Sequence, residues 1–224
     1  MDCLEAFDQV YNSAYWGNHR DNDDDEGSLS GGGSTRQVNR TRNLFLAFSI
    51  LKLNVKYICD ICGDCNWQRD FMKLLPDREY FGVDASEKAL SIARSPDRLL
   101  PNMKIIERAY DMTKDCPEIK NPQETLFLVK EVVQHLPLEL GVSLIKNIKS
   151  KGVRYIAITH HDPTIFQNAN INHNIEIGKF YPNNMFIHPF NFKNPIFDIG
   201  DFLLDESKLG AGNLMVFDLQ EQDI

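Results

Sequence analysis

No apolar run in the chain approaches the roughly 20 residues that a bilayer span requires, so a transmembrane segment is not expected. Basic residues are also in deficit. Lys and Arg number 24 against 32 Asp and Glu, a formal net charge of −8, and a surface of that sign repels phosphate backbones instead of displacing their counterions. Long nucleic acid is therefore not an expected partner. Two phosphate-gripping patterns are missing as well. There is no G-x-G-x-x-G and no G-x-x-x-x-G-K-[ST], so hydride and phosphoryl transfer lose their usual supports. Cysteine is scarce and odd in number, five in 224 residues, which favours reduced thiols over a disulfide framework. The opening Met1-Asp2-Cys3-Leu4-Glu5 is acidic where a secretory leader is basic. A soluble, cytoplasmic chain is the expectation.

The 42% hydrophobic content suffices for one sizeable core, and a single domain over 1–224 is expected. Residues 3–16 read as a short amphipathic helix. The acidic and then Gly/Ser-rich stretch 18–34 reads as a mobile loop, either linker or ligand lid, and it lacks the ligand spacing of a calcium loop. A helical pattern through Val38, Leu44, Phe45, Phe48 and Leu51 follows, with Ser34 or Thr35 as cap; residues 1–53 are thus an N-terminal helical region. Beyond residue 54, strand-type runs at 55–60, 80–83, 103–106, 125–129 and 153–159 alternate with helical patterns at about 67–75, 86–94 and 138–149, while 108–124 is irregular. This alternation predicts an α/β, Rossmann-like, doubly wound and mostly parallel sheet in a three-layer α/β/α arrangement.

Three of the cysteines stand in Cys59-Asp60-Ile61-Cys62-Gly63-Asp64-Cys65-Asn66-Trp67. A metal knuckle would need a fourth ligand, and Cys3 and Cys116 are single and distant. If Tyr57-Ile58-Cys59 is strand, Cys59 faces the core and the chain turns at 61–66 into a helix near Trp67. Open α/β sheets bind ligands at such strand ends. The second strand ends in Gly82-Val83-Asp84, 24 residues after Asp60, where a carboxylate can accept both hydrogens of a ribose diol.

At these residues the chain resembles the class I S-adenosylmethionine-dependent methyltransferases. It looks most like a group of small sugar and glycan O-methyltransferases whose first motif reads about D-x-x-C-G-D-x-N-W, and a capsid-glycan O-methyltransferase of a large algal virus is the specific kind that the resemblance suggests. Cys62-Gly63-Asp64-Cys65-Asn66-Trp67 matches that motif, with Asp60 one residue nearer to it than the pattern has. The resemblance implies S-adenosyl-L-methionine as cofactor. It implies Asp60, Cys62, Gly63, Asp64, Asp84 and Ala85 around the methionine and ribose ends, Asp111 and Met112 beside the adenine, and Lys130 next to the cofactor.

Lys130-Glu131-Val132-Val133-Gln134-His135 follows the fourth strand, and a helical reading places Glu131 and His135 on one face. This resembles the E-x-x-E-H element with which some O-methyltransferases hold a divalent metal, here with Gln134 in place of the second carboxylate. Thr159-His160-His161-Asp162 ends the fifth strand at the same edge. Two readings follow. Glu131, His135 and His161 hold Mg²⁺ or another divalent ion beside the acceptor, or His135 or His161 is the general base, with Asp162 or Glu131 orienting it. Between 163 and 200 the chain is rich in Phe and Asn, which suits either a sugar acceptor or the packing of a last hairpin. The expected activity is methyl transfer to a sugar or glycan hydroxyl; the alternatives are a carboxylate or amine acceptor, or a non-catalytic cofactor-binding module.

Overall fold

The structure, a computed structural model, describes residues 1–13, 15–16, 28–29, 40–200 and 212–224. Most of the acidic and Gly/Ser stretch, Val38, and the capping positions Ser34 and Thr35 lie outside the described residues. Among the described residues seven strands form one sheet: β1 Tyr57–Ile61, β2 Glu79–Val83, β3 Met103–Ile105, β4 Thr125–Val129, β5 Tyr155–His160, β6 Phe197–Ile199 and β7 Asn213–Asp218. Their order is β3-β2-β1-β4-β5-β7-β6, parallel from β3 through β5, with β7 antiparallel to both β5 and β6. The five sequence-predicted strands all form. The closing β6–β7 pair was not expected as strands; among the described residues β6 is a three-residue element paired with β7 alone.

The sheet is central and covered on both faces. All five β4 residues are buried, as a strand with helices above and below requires. Side-chain alternation sorts the core into two layers: Leu126 and Leu128 pack with Leu46, Ile50, Phe71 and Leu90, while Phe127 and Val129 pack with Ile145, Ile148, Phe190 and Phe217. The helices are α1 Cys3–Asn12, α2 Arg40–Lys52, α3 Gln68–Met72, α4 Glu87–Ala93 and α5 Leu138–Ser150. Helix α1 is shorter than expected, and α4 starts on Ser86, whose hydroxyl accepts the Ala89 N–H at 3.1 Å.

Two expectations are corrected. In α2 the apolar positions Leu44, Phe45, Phe48 and Leu51 face outward, and Leu46, Ala47 and Ile50 are the buried ones. The run Leu44 to Leu51 is apolar nearly all round, so periodicity alone could not choose its inner face. Glu131 and His135 are not on one helical face: Glu131 has φ +57°, and only a 3-10 turn at Val133–His135 follows. Among the described residues no helix is long and apolar enough to cross a membrane.

Phe127 lies at the centre of the middle strand with no exposed surface. Phe127→Ala should lower unfolding free energy by about 3–5 kcal/mol, seen as a fall in the urea midpoint with an unchanged slope.

Candidate functional site

The carboxyl ends of β1, β2 and β4 open into a cleft where the strand order reverses, the position at which such sheets bind ligands. The cleft has about 790 Å³ of empty space, the open solvent at its mouth included. Asp60, Cys62, Gly63, Asp64, Asp84, Ala85, Asp111, Met112, Lys130 and Glu131, which the sequence reading singled out, all line it. So do residues it passed over: Phe7, Tyr11 and Trp16 from the N-terminal segment, Gln68 from α3, and Tyr110. The N-terminal helix gave no sequence signal for this beyond its amphipathic pattern.

The first loop is built by close approach. Cys62 lies over β2 at Gly82, where an added Cβ would stand 2.9 Å from its Sγ and 2.7 Å from Ile105 Cδ1. The loop then turns through Gly63 at φ +55° and Cys65 at φ +56°, closed by the Cys65 N–H donating to Cys62 O at 3.0 Å. A side chain on Gly63 would meet Tyr11 Oη at 2.7 Å. All five cysteines are buried free thiols. Cys59 sits in the core as expected, and Cys62 and Cys65 pack among the apolar side chains of the opposite layer. Trp67 is also buried there against Phe71, while Lys130 Nζ lies 5.8 Å above its ring and both line the cleft.

The carboxylates of the cleft differ in their partners. Asp84 accepts the Gly63 N–H at 2.9 Å on one oxygen and the Ser86 N–H at 2.9 Å on the other, leaving each oxygen a further lone pair. Asp60 accepts Gln68 Nε2 at 2.9 Å and Tyr80 Oη at 2.7 Å, both on Oδ2. Its Oδ1 is buried and has no partner among the described residues. Burial pushes both Asp60 and Asp84 up to about 6. Asp64 is engaged by the N-terminal segment: Ser28 Oγ donates to Oδ1 at 3.0 Å and Leu29 N–H to Oδ2 at 2.8 Å. Asp111 turns partly inward, its Oδ1 accepting the Thr113 N–H and hydroxyl and its Oδ2 facing Lys114 at 3.2 Å.

Beyond the β4 end lie two imidazoles. His135 Nδ1 is 2.8 Å from Lys179 O, and His161 Nδ1 is 2.9 Å from Asn183 Oδ1. Asn183 Nδ2 donates to Thr159 O, which leaves Oδ1 as the end that faces His161. Both partners are oxygens that can only accept, so each Nδ1 carries the hydrogen and each Nε2 presents its lone pair. Burial lowers both pKa values below the ordinary histidine value, favouring the neutral ring. The Phe180 ring lies 5.9 Å from His135 and 5.8 Å from His161, and Phe166 lies 4.8 Å from His161. Phe180 is over half exposed, so it offers a ring face beside both imidazoles. His160 is different: its Nδ1 accepts the Met185 N–H, and burial takes it down to about 4. It is a packing residue.

Asp162 does not orient His161. Its Oδ1 accepts the Thr164 N–H and hydroxyl, and Asn183 holds the imidazole instead. The metal set is likewise not assembled. Gln134 Nε2 donates to Glu131 Oε2 at 2.6 Å and the Thr159 hydroxyl to Oε1 at 3.2 Å, which ties the carboxylate to its own turn and the end of β5. Among the described residues no three His, Cys, Asp or Glu side chains are placed to share a metal ion. The donor set therefore does not fit a divalent metal. The asparagines of 163–200 mostly brace backbone: Asn172 Nδ2 donates to Asn184 O and His188 O, and Asn184 Nδ2 to Ala169 O. Phe190 and Phe192 are core.

No family model and no curated protein matches the chain. Solved structures do match. Magnesium protoporphyrin IX methyltransferase (ChlM) from Synechocystis PCC 6803, with bound SAM, aligns over 96% of each chain at 12% identity and TM-score 0.60. Human N-acetylserotonin methyltransferase, in complex with SAM, aligns over 97% of this chain and 60% of its own at 15% identity and TM-score 0.59. The methyltransferase domain of bacterial CtHen1 aligns over 81% of this chain and 98% of its own at 17% identity and TM-score 0.51. The chain has the class I, Rossmann-like fold of these methyltransferases.

Asp60 supplies a pH test. Its raised pKa means that the folded chain holds a proton the unfolded chain releases between about pH 4 and 6. The associated stability is present below the unfolded value and is lost as pH rises through about 6. Asp60→Asn should therefore be more stable than the parent by about 1–3 kcal/mol at pH 8, with the gap closing below pH 4, as read from urea unfolding across that range.

Proposed function

We propose that this chain is an S-adenosylmethionine-dependent O-methyltransferase, acting as one catalytic domain, whose acceptor is a hydroxyl of a sugar or glycan. The observation that carries the cofactor assignment is the partnerless Oδ1 of Asp60, buried at the wall of a cleft at the sheet's switch point. A buried carboxylate oxygen without a donor calls for one from a ligand. The ammonium of the cofactor's methionine end has the right charge. Asp84, with its spare lone pairs, suits the ribose diol, and Tyr110 and Met112 offer apolar surface for the adenine. Bound there, S-adenosylmethionine would supply a methyl group carried on a sulfonium.

The rest of the reaction falls to the chain's own side chains. A hydroxyl must be aligned and lose its proton as its oxygen attacks. His135 is suited to take that proton at Nε2, because Lys179 O fixes its tautomer, burial keeps it neutral, and it adjoins the cleft-lining Trp16. His161, with the same tautomer, is placed to accept a second hydrogen bond. Glu131, held by Gln134 and Thr159, adds negative charge that favours the imidazolium as it forms. The acceptor class rests on Phe180 and Phe166: ring faces beside imidazole acceptors suit the C–H faces and hydroxyls of a sugar. The solved neighbours are named for magnesium protoporphyrin IX and N-acetylserotonin, acceptors with little in common.

Calorimetric titration with S-adenosylmethionine and S-adenosylhomocysteine tests the cofactor. Both should bind, and Asp84→Ala should weaken them roughly 10- to 100-fold through lost charge-assisted bonds. Absence of binding to either would overturn the assignment. With a sugar panel read by S-adenosylhomocysteine release, His135→Ala should reduce kcat about 10²- to 10⁴-fold, and chelation should leave the rate unchanged. A rate lost on chelation and restored by Mg²⁺ would return Glu131 and the histidines to a metal.

A further inference from the structure

Trp16 stacks on His135, their ring centroids 4.4 Å apart and their planes at 34°. We propose that Trp16 is a positioning residue for the base: the N-terminal segment delivers its indole onto His135 and thereby holds the imidazole in the orientation that leaves Nε2 free to accept a proton. The inference rests on His135 being the base of the reaction proposed above.

The imidazole has three restraints and one open edge. Its Nδ1 is tied to Lys179 O, a carbonyl on a loop that is itself joined to the turn by Gly178 N–H donating to His135 O and Tyr181 N–H to Gln134 O. The Phe180 ring lies at one side, inclined at 53°. Trp16 covers a face. The Nε2 edge has no hydrogen-bond partner among the described residues. A half-buried imidazole held by one hydrogen bond can still turn about its outer bonds, and a half-turn puts Cδ2 where Nδ1 stood, breaking the bond to Lys179 O that selects the tautomer. Stacking against a large flat ring opposes that motion.

Trp16 is itself braced, by Phe7 at 5.9 Å and Tyr11 at 6.0 Å on α1. That helix is anchored at the cleft's other rim, where Asp8 Oδ1 accepts the Ser86 hydroxyl at 3.0 Å and the Lys88 N–H at 2.9 Å. Phe7, Tyr11 and Trp16 also line the cleft proposed for the cofactor. Helix α1 and Trp16 beyond its end thus reach from the cofactor wall to the base, so the base is complete only with α1 docked. The charged and titratable groups that act on His135 are Glu131, which favours the imidazolium, and His161, which opposes it; Lys179 contributes its carbonyl, while its ammonium lies 6.0 Å over Tyr15. Burial outweighs these and keeps the ring neutral, the form in which a tautomer is defined.

The test is ¹⁵N NMR of the histidine side chains in the full chain at pH 8, with His135 assigned by the signal missing from His135→Gln. The parent should show His135 as the Nδ1–H tautomer. Trp16→Ala should move it toward a mixture with the Nε2–H tautomer, and Trp16→Phe, which keeps a flat ring, should restore the parent signal. Retention of the pure Nδ1–H tautomer in Trp16→Ala, with the other imidazole signals unchanged, would overturn the proposal; so would a shift that Trp16→Phe fails to rescue. A parent that is not Nδ1–H would overturn it as well. None of these spectra needs cofactor or acceptor, so failure of S-adenosylhomocysteine to bind would count against the proposed function separately.

Discussion

One contact sets the shape of the cleft: the Gly63 N–H donating to the Asp84 carboxylate at 2.9 Å. It joins the loop after the first strand to the tip of the second. The loop can come so close only because Gly82 has no side chain where Cys62 crosses the strand, and because Gly63 itself adopts φ +55°. Drawn in this way, the loop seals Asp60, Tyr80 and Gln68 beneath it. Two carboxylates are thereby removed from water and held near pH 6, with one oxygen of Asp60 unmatched. Such a site is costly to the empty protein and complementary to a ligand that brings donors and positive charge.

The surroundings of the two imidazoles are organised by a backbone carbonyl and a side-chain amide. Lys179 O and Asn183 Oδ1 each take a histidine Nδ1–H, and Asn183 is fixed in turn by Thr159 O. The same loop region, whose asparagines and phenylalanines suited either a sugar acceptor or the packing of a last hairpin, is largely occupied in bracing its own backbone, and this bracing is what lets it aim two imidazoles. Glu131 is drawn into a hydrogen-bonded set with Gln134 and Thr159 and sits at a left-handed backbone position, a local strain of the kind that persists where surrounding contacts over-determine it.

Much of the fold was legible because its signals are local. The strand at Thr125–Val129 is a bounded apolar run, and Leu138–Ser150 has a clear helical period. The carboxylates of the cleft were legible because strand ends in a parallel sheet converge on one edge, so that finding the strands locates Asp60 and Asp84. The inner face of α2 was not, since its sequence is apolar on several sides. Nor was the β6–β7 pair, in which Phe197–Ile199 gains its identity only from its partner.

The sequence alone determined which residues stand at the carboxyl ends of the strands and what chemistry they could bring, because strand periodicity and small-residue turns act over a few neighbouring positions. Only the tertiary structure decided how each group is used. Whether His161 is held by Asn183, whether Glu131 is tied down by Thr159, and whether an indole from residue 16 meets an imidazole at 135 all depend on contacts between distant segments. Those contacts follow from the packing of the whole sheet and its covering loops, and no local spacing encodes them.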